Sequence, residues 1–67
     1  MKDILLKFGF VKHSVIPNLF VKDNGIYKAV NIKGNVYVMM YSKKYDKYIN
    51  IETVNSKDAL RKVLQGI

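Results

Sequence analysis

Between Asn18 and Thr53 apolar and polar side chains alternate with a period of two, and the alternation is broken three times by turn-forming residues. That pattern predicts four antiparallel strands in a meander. Asp23-Asn24-Gly25 carries the strongest break: Asn24-Gly25 suits a tight type I′ hairpin, since both residues accept positive φ. The second break, Asn31-Ile32-Lys33-Gly34, reads as a type I turn with Asn first and Gly in the left-handed position that follows. The third is a four-residue loop, Lys43 to Asp46, which pairs Met40 with Ile49 and Tyr41 with Tyr48.

These turns fix which side chains share a face. One face is predicted to be aliphatic, with Leu19, Val21, Ile26, Val30, Val36, Val38, Met40, Ile49 and Ile51. The other collects Phe20, Lys22, Tyr27, Tyr37, Met39, Tyr41 and Tyr48, with Glu52 beside them; Lys28 falls on the aliphatic side.

At the ends the period changes to that of a helix. Ile4, Leu5 and Phe8 mark one buried face of a short helix that Asp3 opens and Gly9 ends. Ala59, Leu60, Val63 and Leu64, with Ile67 beyond, mark a second, capped by Asn55 or Ser56, with Asp58 in its first turn and Gly66 as its stop. Two turns of helix are too few to stand alone, so the first must lean on the sheet. The second is predicted to cross Val30, Val38, Met40, Ile49 and Ile51. Phe10 to Ile16 alternates imperfectly, and Pro17, which has no N–H to donate, confines Val15-Ile16 to a strand end, an edge or a loop. The expectation is an α+β fold: a short N-terminal helix, an antiparallel meander of about four strands and a C-terminal helix on the aliphatic face, in one domain over residues 1–67.

Composition narrows the function without naming it. With 67 residues, 49% hydrophobic and 25% charged, the chain has room for one modest core. It has no cysteine, which excludes disulfides and thiolate metal sites, and no apolar run near the ~20 residues that span a bilayer. Met1-Lys2-Asp3-Ile4-Leu5-Leu6 starts like a signal peptide, but Lys7 interrupts it at once, so the expected location is cytoplasmic. Richness in Lys, Asn, Ile and Tyr fits a low-GC bacterial genome or one of its phages.

Twelve basic residues against five acidic give a net charge of +7, a field that attracts nucleic acid or an acidic protein surface. Eleven of the twelve are Lys, which argues against the bidentate base reading that Arg performs. The candidate binding set is therefore the aromatic face and its lysine border: Phe20, Lys22, Tyr27, Tyr37, Met39, Tyr41, Lys43, Lys44, Lys47 and Tyr48. Such a face can receive a host or defence protein as an inhibitor does, stack the bases of a single strand, or meet a second copy of itself as a homodimer. Cross-strand tyrosines also stabilise sheets with no ligand at all.

Catalytic chemistry has little to work with. His13 is the one side chain whose ordinary titration range suits a base near neutral pH. Its neighbour Ser14 points to the opposite face of an extended chain, and the carboxylates Asp3, Asp23, Asp46, Glu52 and Asp58 are dispersed. No metal-ligand spacing or glycine-rich phosphate loop is present, so no cofactor is expected. The opening Ile4-Leu5-Leu6-Lys7-Phe8-Gly9-Phe10 and the closing Leu60-Arg61-Lys62-Val63-Leu64-Gln65-Gly66-Ile67 resemble the two ends of HicA-type toxins, small basic helix–sheet–helix proteins that cleave RNA. That family carries Gly-Ser-His shortly after its first helix, where this chain has Lys12-His13-Ser14. The resemblance implies an alternative, a metal-independent ribonuclease using His13.

Overall fold

A computed structural model describes residues 1–67. Helix α1 (Lys2–Lys7) is followed by strands β1 (Val11–Lys12), β2 (Leu19–Lys22), β3 (Tyr27–Ile32), β4 (Asn35–Ser42) and β5 (Lys47–Val54), then by helix α2 (Lys57–Gln65). The strands form one antiparallel sheet in chain order, β1-β2-β3-β4-β5. The α+β arrangement is as the pattern predicts, with one strand more: Val11 and Lys12 pair with Val21 and Phe20 at the edge. No helix is long and apolar enough to cross a membrane.

The helix ends follow local chemistry. After α1 the chain turns through Gly9 at φ +94°, the Phe10 N–H donates to Leu5 O at 3.0 Å and the Gly9 N–H to Leu6 O at 3.1 Å. This paired closure needs a left-handed residue at Gly9, and it brings Phe10 and Leu5 together in the core. Ser56 caps α2, its Oγ accepting the Ala59 N–H at 3.2 Å. Gly66 ends α2 in a right-handed conformation, so its conformational freedom is not what stops the helix. The two helices touch each other, α1 also meeting β1 and α2 meeting β5. The Lys57 ammonium at the start of α2 holds the exposed Asp3 carboxyl below its ordinary range.

The core shows which face of the sheet the helices cover. Ile4, Leu5 and Phe10, with Leu60 and Leu64 of α2, pack with Phe20, Ala29, Val36, Val38 and Val54. Val36 and Val38 lie on this side as predicted. Strands β2 and β3 are inverted relative to the prediction: Phe20, Lys22 and Tyr27 face the helices, while Leu19, Val21, Lys28 and Val30 face away.

The inversion traces to a single turn. Ile32 pairs directly with Asn35, so the β3–β4 connection is the two-residue loop Lys33-Gly34, both at positive φ (49° and 83°). A type I turn with a following bulge would have paired Asn31 with Asn35, one residue out of register, and a one-residue slip exchanges the faces of a strand. The β2–β3 register itself is as predicted, with Lys22 opposite Tyr27 and Leu19 opposite Val30, so β2 and β3 turn over together. Between them Asp23, Asn24 and Gly25 all have positive φ.

Magnitudes decide the choice between the two registers. Holding Lys33 in the left-handed region costs about 1–2 kcal/mol. The alternative would set Lys28 opposite Val38, at the centre of the helix-covered face, where an unpaired ammonium costs several kcal/mol. The observed register puts Ala29 there, fully buried, and leaves Lys28 on the open side.

A second correction lies in β5. Met40 pairs with Ile49 and Tyr41 with Tyr48, as predicted, but a bulge follows: Met39 pairs with Asn50 and Val38 with Glu52, leaving Ile51 as the extra residue. The bulge shifts the alternation so that Val54, opposite Val36, enters the core and Thr53 does not. Glu52 consequently leaves the tyrosine face. The predicted crossing of α2 over Met40, Ile49 and Ile51 does not occur. These three are 39%, 39% and 41% exposed, at the end of the helix-side face that neither helix covers.

Candidate binding face

With both helices on one side, the other side of the sheet is open. Tyr37, Met39 and Tyr41 from β4 and Tyr48 from β5 share it, as predicted; Val21, Lys28 and Val30 join them from β2 and β3. All seven are half-buried, as expected of side chains standing on a sheet with neighbours on every side but one. Leu19 lies on this side too and is buried. Ile26, with its carbonyl accepting the Tyr41 N–H at 2.8 Å, extends the face beside Tyr41.

Tyr48 is the fixed point of this surface. Its hydroxyl donates to Gly25 O at 2.5 Å, tying β5 to the β2–β3 turn. The Lys28 Nζ stands 4.0 Å from its ring centroid, a cation–π contact, and the edge of Tyr41 meets it with centroids 5.4 Å apart and planes at 69°. The Tyr41 hydroxyl in turn donates to Asp46 Oδ1 in the β4–β5 loop, and that bond to the carboxylate raises the phenol above its ordinary pKa. Both rings are thus held in place by contacts within the chain. Beside them a depression of about 260 Å3 is lined by Asn24, Gly25, Ile26, Tyr41 and Tyr48. On the other side of the same turn a broader one of about 680 Å3 runs past Gly9, Val11, Val21 and Lys22.

The remaining candidate residues are elsewhere. Phe20 is buried in the core, and Tyr27 packs against that core, so neither can receive a ligand on the open face. Lys22 lies on the helix side, its Nζ 5.8 Å from the Phe10 ring centroid. Lys47, opposite Ser42, has the parity of Ile49 and so belongs to the helix side as well. Lys43 and Lys44 are exposed in the loop at the end of β4, Lys44 lying 5.3 Å from the Tyr45 ring centroid. The residue missed by the sequence reading is Lys28. Its signal was present: a lysine in the middle of a central strand cannot face a core without a partner.

His13 has a structural occupation. Its Nδ1 accepts the backbone N–H groups of Val15 at 3.1 Å and Ile16 at 3.0 Å, closing the loop that joins β1 to β2. To act as a base through Nδ1 the ring would first have to give up both of these bonds.

No known protein family matches the chain, and neither a curated protein nor a solved structure shows detectable similarity to it.

Proposed function

We propose that this chain is a non-enzymatic binding protein whose open sheet face, centred on Tyr37, Met39, Tyr41, Tyr48 and Lys28, receives an acidic partner protein. One observation carries the reading: three tyrosines, a methionine and a lysine occupy the side of the sheet that the helices do not cover. Tyr and Met are the side chains that interfaces enrich, since they give large contact area at low cost in side-chain entropy. Pinning Tyr41 and Tyr48 in advance lowers that cost further. The net charge of +7 steers an acidic surface toward the face and disfavours a basic one. A module of this size acts on its partner by occupying a surface, which is how an inhibitor of a host or defence protein works. The engaged Nδ1 of His13 supports this reading over a ribonuclease.

The field of +7 also favours a second reading, a single-stranded nucleic acid lying on the same face. Lys28 already covers one face of Tyr48, so a base would have to displace it or stack on Tyr37 or Tyr41 instead. The protein partner is therefore preferred. The test is affinity capture from a cell extract with and without nuclease, comparing the wild type with Tyr37→Ala plus Tyr41→Ala. A partner retained after nuclease and lost in the variant, with the variant still unfolding in one cooperative transition, is the expected result. Capture that disappears with nuclease favours the nucleic-acid reading, and capture indifferent to the substitutions removes the face from consideration.

A further inference from the structure

The two edges of the sheet are unequal. At one edge β1 has only two paired residues before the chain leaves in the His13-closed loop. At the other edge β5 runs for eight residues with nothing beyond it. The direction of its backbone groups follows from the ladder. The Tyr41 N–H donates to Ile26 O, so the main chain of Tyr41 is turned toward β3. Tyr48, opposite Tyr41, and Asn50, opposite Met39, therefore point their own N–H and C=O groups outward, away from β4. Beside this unpaired row lie Met40, Ile49 and Ile51, each about two-fifths exposed at the uncovered end of the helix side.

We propose that β5 is the seam of a symmetric homodimer, pairing antiparallel with β5 of a second copy around a two-fold axis at Ile49. In this register Tyr48 of one copy faces Asn50 of the other, twice by symmetry, so the outward groups of both residues find partners. Ile49 meets its own counterpart on the axis. Lys47 lies against the other copy's Ile51, where its aliphatic stem covers the isoleucine while the ammonium stays in water. The strand is self-complementary here because an apolar residue occupies the axis and its alternate neighbours, Lys47 and Ile51, are compatible across it. The bulge at Ile51 ends the regular ladder, which keeps the seam short and the association reversible.

A two-fold axis perpendicular to the sheet leaves all four helices on one side and joins the two open faces on the other. The two Tyr41–Tyr48 pairs then flank the axis. The seam stands without the partner reading; only the doubling of the binding face rests on it.

The experiment is sedimentation of the full chain across protein concentration and ionic strength, with amide exchange followed in parallel. Two copies each carrying +7 repel, so dimerisation strengthens as salt is raised, whereas binding of an acidic partner weakens. The two claims can thus fail separately. Exchange of the Tyr48 and Asn50 amides should slow as the dimer forms. Ile49→Lys sets like charges against each other on the axis and should weaken association by more than ~10-fold. Ile49 lies outside the core, so the monomer's melt should hold; if the variant unfolds, the amide protection in the wild type still decides. A monomer at every concentration and ionic strength, with both amides exchanging freely, overturns the proposal. So does a dimer that survives Ile49→Lys and is lost in Tyr37→Ala plus Tyr41→Ala.

Discussion

Replacing Lys33 by Asn tests the register that decides which residues form the open face. Lys33 has φ +49° at the first loop position of the β3–β4 hairpin, with Gly34 at +83° after it. Lysine tolerates that region poorly, whereas Asn enters it readily, and Asn-Gly is the favoured pair for a type I′ turn. The strain of a left-handed lysine is about 1–2 kcal/mol, and Asn should recover about half of it, ~0.5–1 kcal/mol. In a domain of this size that corresponds to a rise in Tm of roughly 3–6 °C. Lys33 is exposed, so contacts do not complicate the comparison. Charge does, because removing one of twelve basic residues also relieves repulsion. Lys33→Gln makes the same charge change without the backbone gain, and the difference between the two variants isolates the turn. The assay is urea denaturation followed by circular dichroism, with the m-value expected to stay constant. Were the loop a type I turn, Lys33 would be right-handed and Asn would gain nothing over Gln. Equal stability of the two variants would therefore refute the register, and with it the assignment of Phe20 and Tyr27 to the core side.

Tyr48→Phe keeps the ring but removes the hydroxyl that meets Gly25 O. It should cost ~0.5–1.5 kcal/mol in denaturation while leaving the Lys28 cation–π contact intact. In Tyr41 the bond to Asp46 favours the protonated phenol in the folded state. Its contribution is full below the unfolded pKa and is lost as pH rises through the folded one. Stability should therefore fall on the alkaline side above about pH 10, and Tyr41→Phe should flatten that limb in a pH series of melts. His13→Ala should loosen the loop between β1 and β2, seen as faster exchange of the Val15 and Ile16 amides, at a cost of about 1 kcal/mol. RNA incubated with the wild type should stay intact, and cleavage lost in His13→Ala would overturn the non-enzymatic reading.

What the sequence made legible was local chemistry that no distant contact opposed. Gly9 closing α1, Ser56 opening α2, the register at Asn24-Gly25 and the pairing of Tyr41 with Tyr48 all follow from residues within a few positions of each other. The Lys33-Gly34 turn did not, because Asn31 and Gly34 satisfy a type I turn equally well on local grounds. The deciding term was non-local: whether Lys28 or Ala29 would lie beneath the helices. The bulge at Ile51 was hidden for a similar reason, since it exists to bring Val54 rather than Thr53 into a core whose position only the whole fold defines. Tyr37, Met39, Tyr41 and Tyr48 share one face as expected because β4 and the start of β5 are joined by the Lys43–Asp46 loop, whose pairing local chemistry settles. The half contributed by β2 and β3 turned over with the turn that was not.

The meander order has a kinetic consequence. Every strand neighbours the one before it, and the longest connection between two strands is the loop from His13 to Asn18. Each hairpin can close over a short stretch of chain, and distant parts of the sequence meet where the two helices join each other and the sheet core and where Tyr48 reaches Gly25. Chains with so local a wiring tend to fold quickly, which shortens the time that the Ile-rich edge spends exposed in a half-formed sheet.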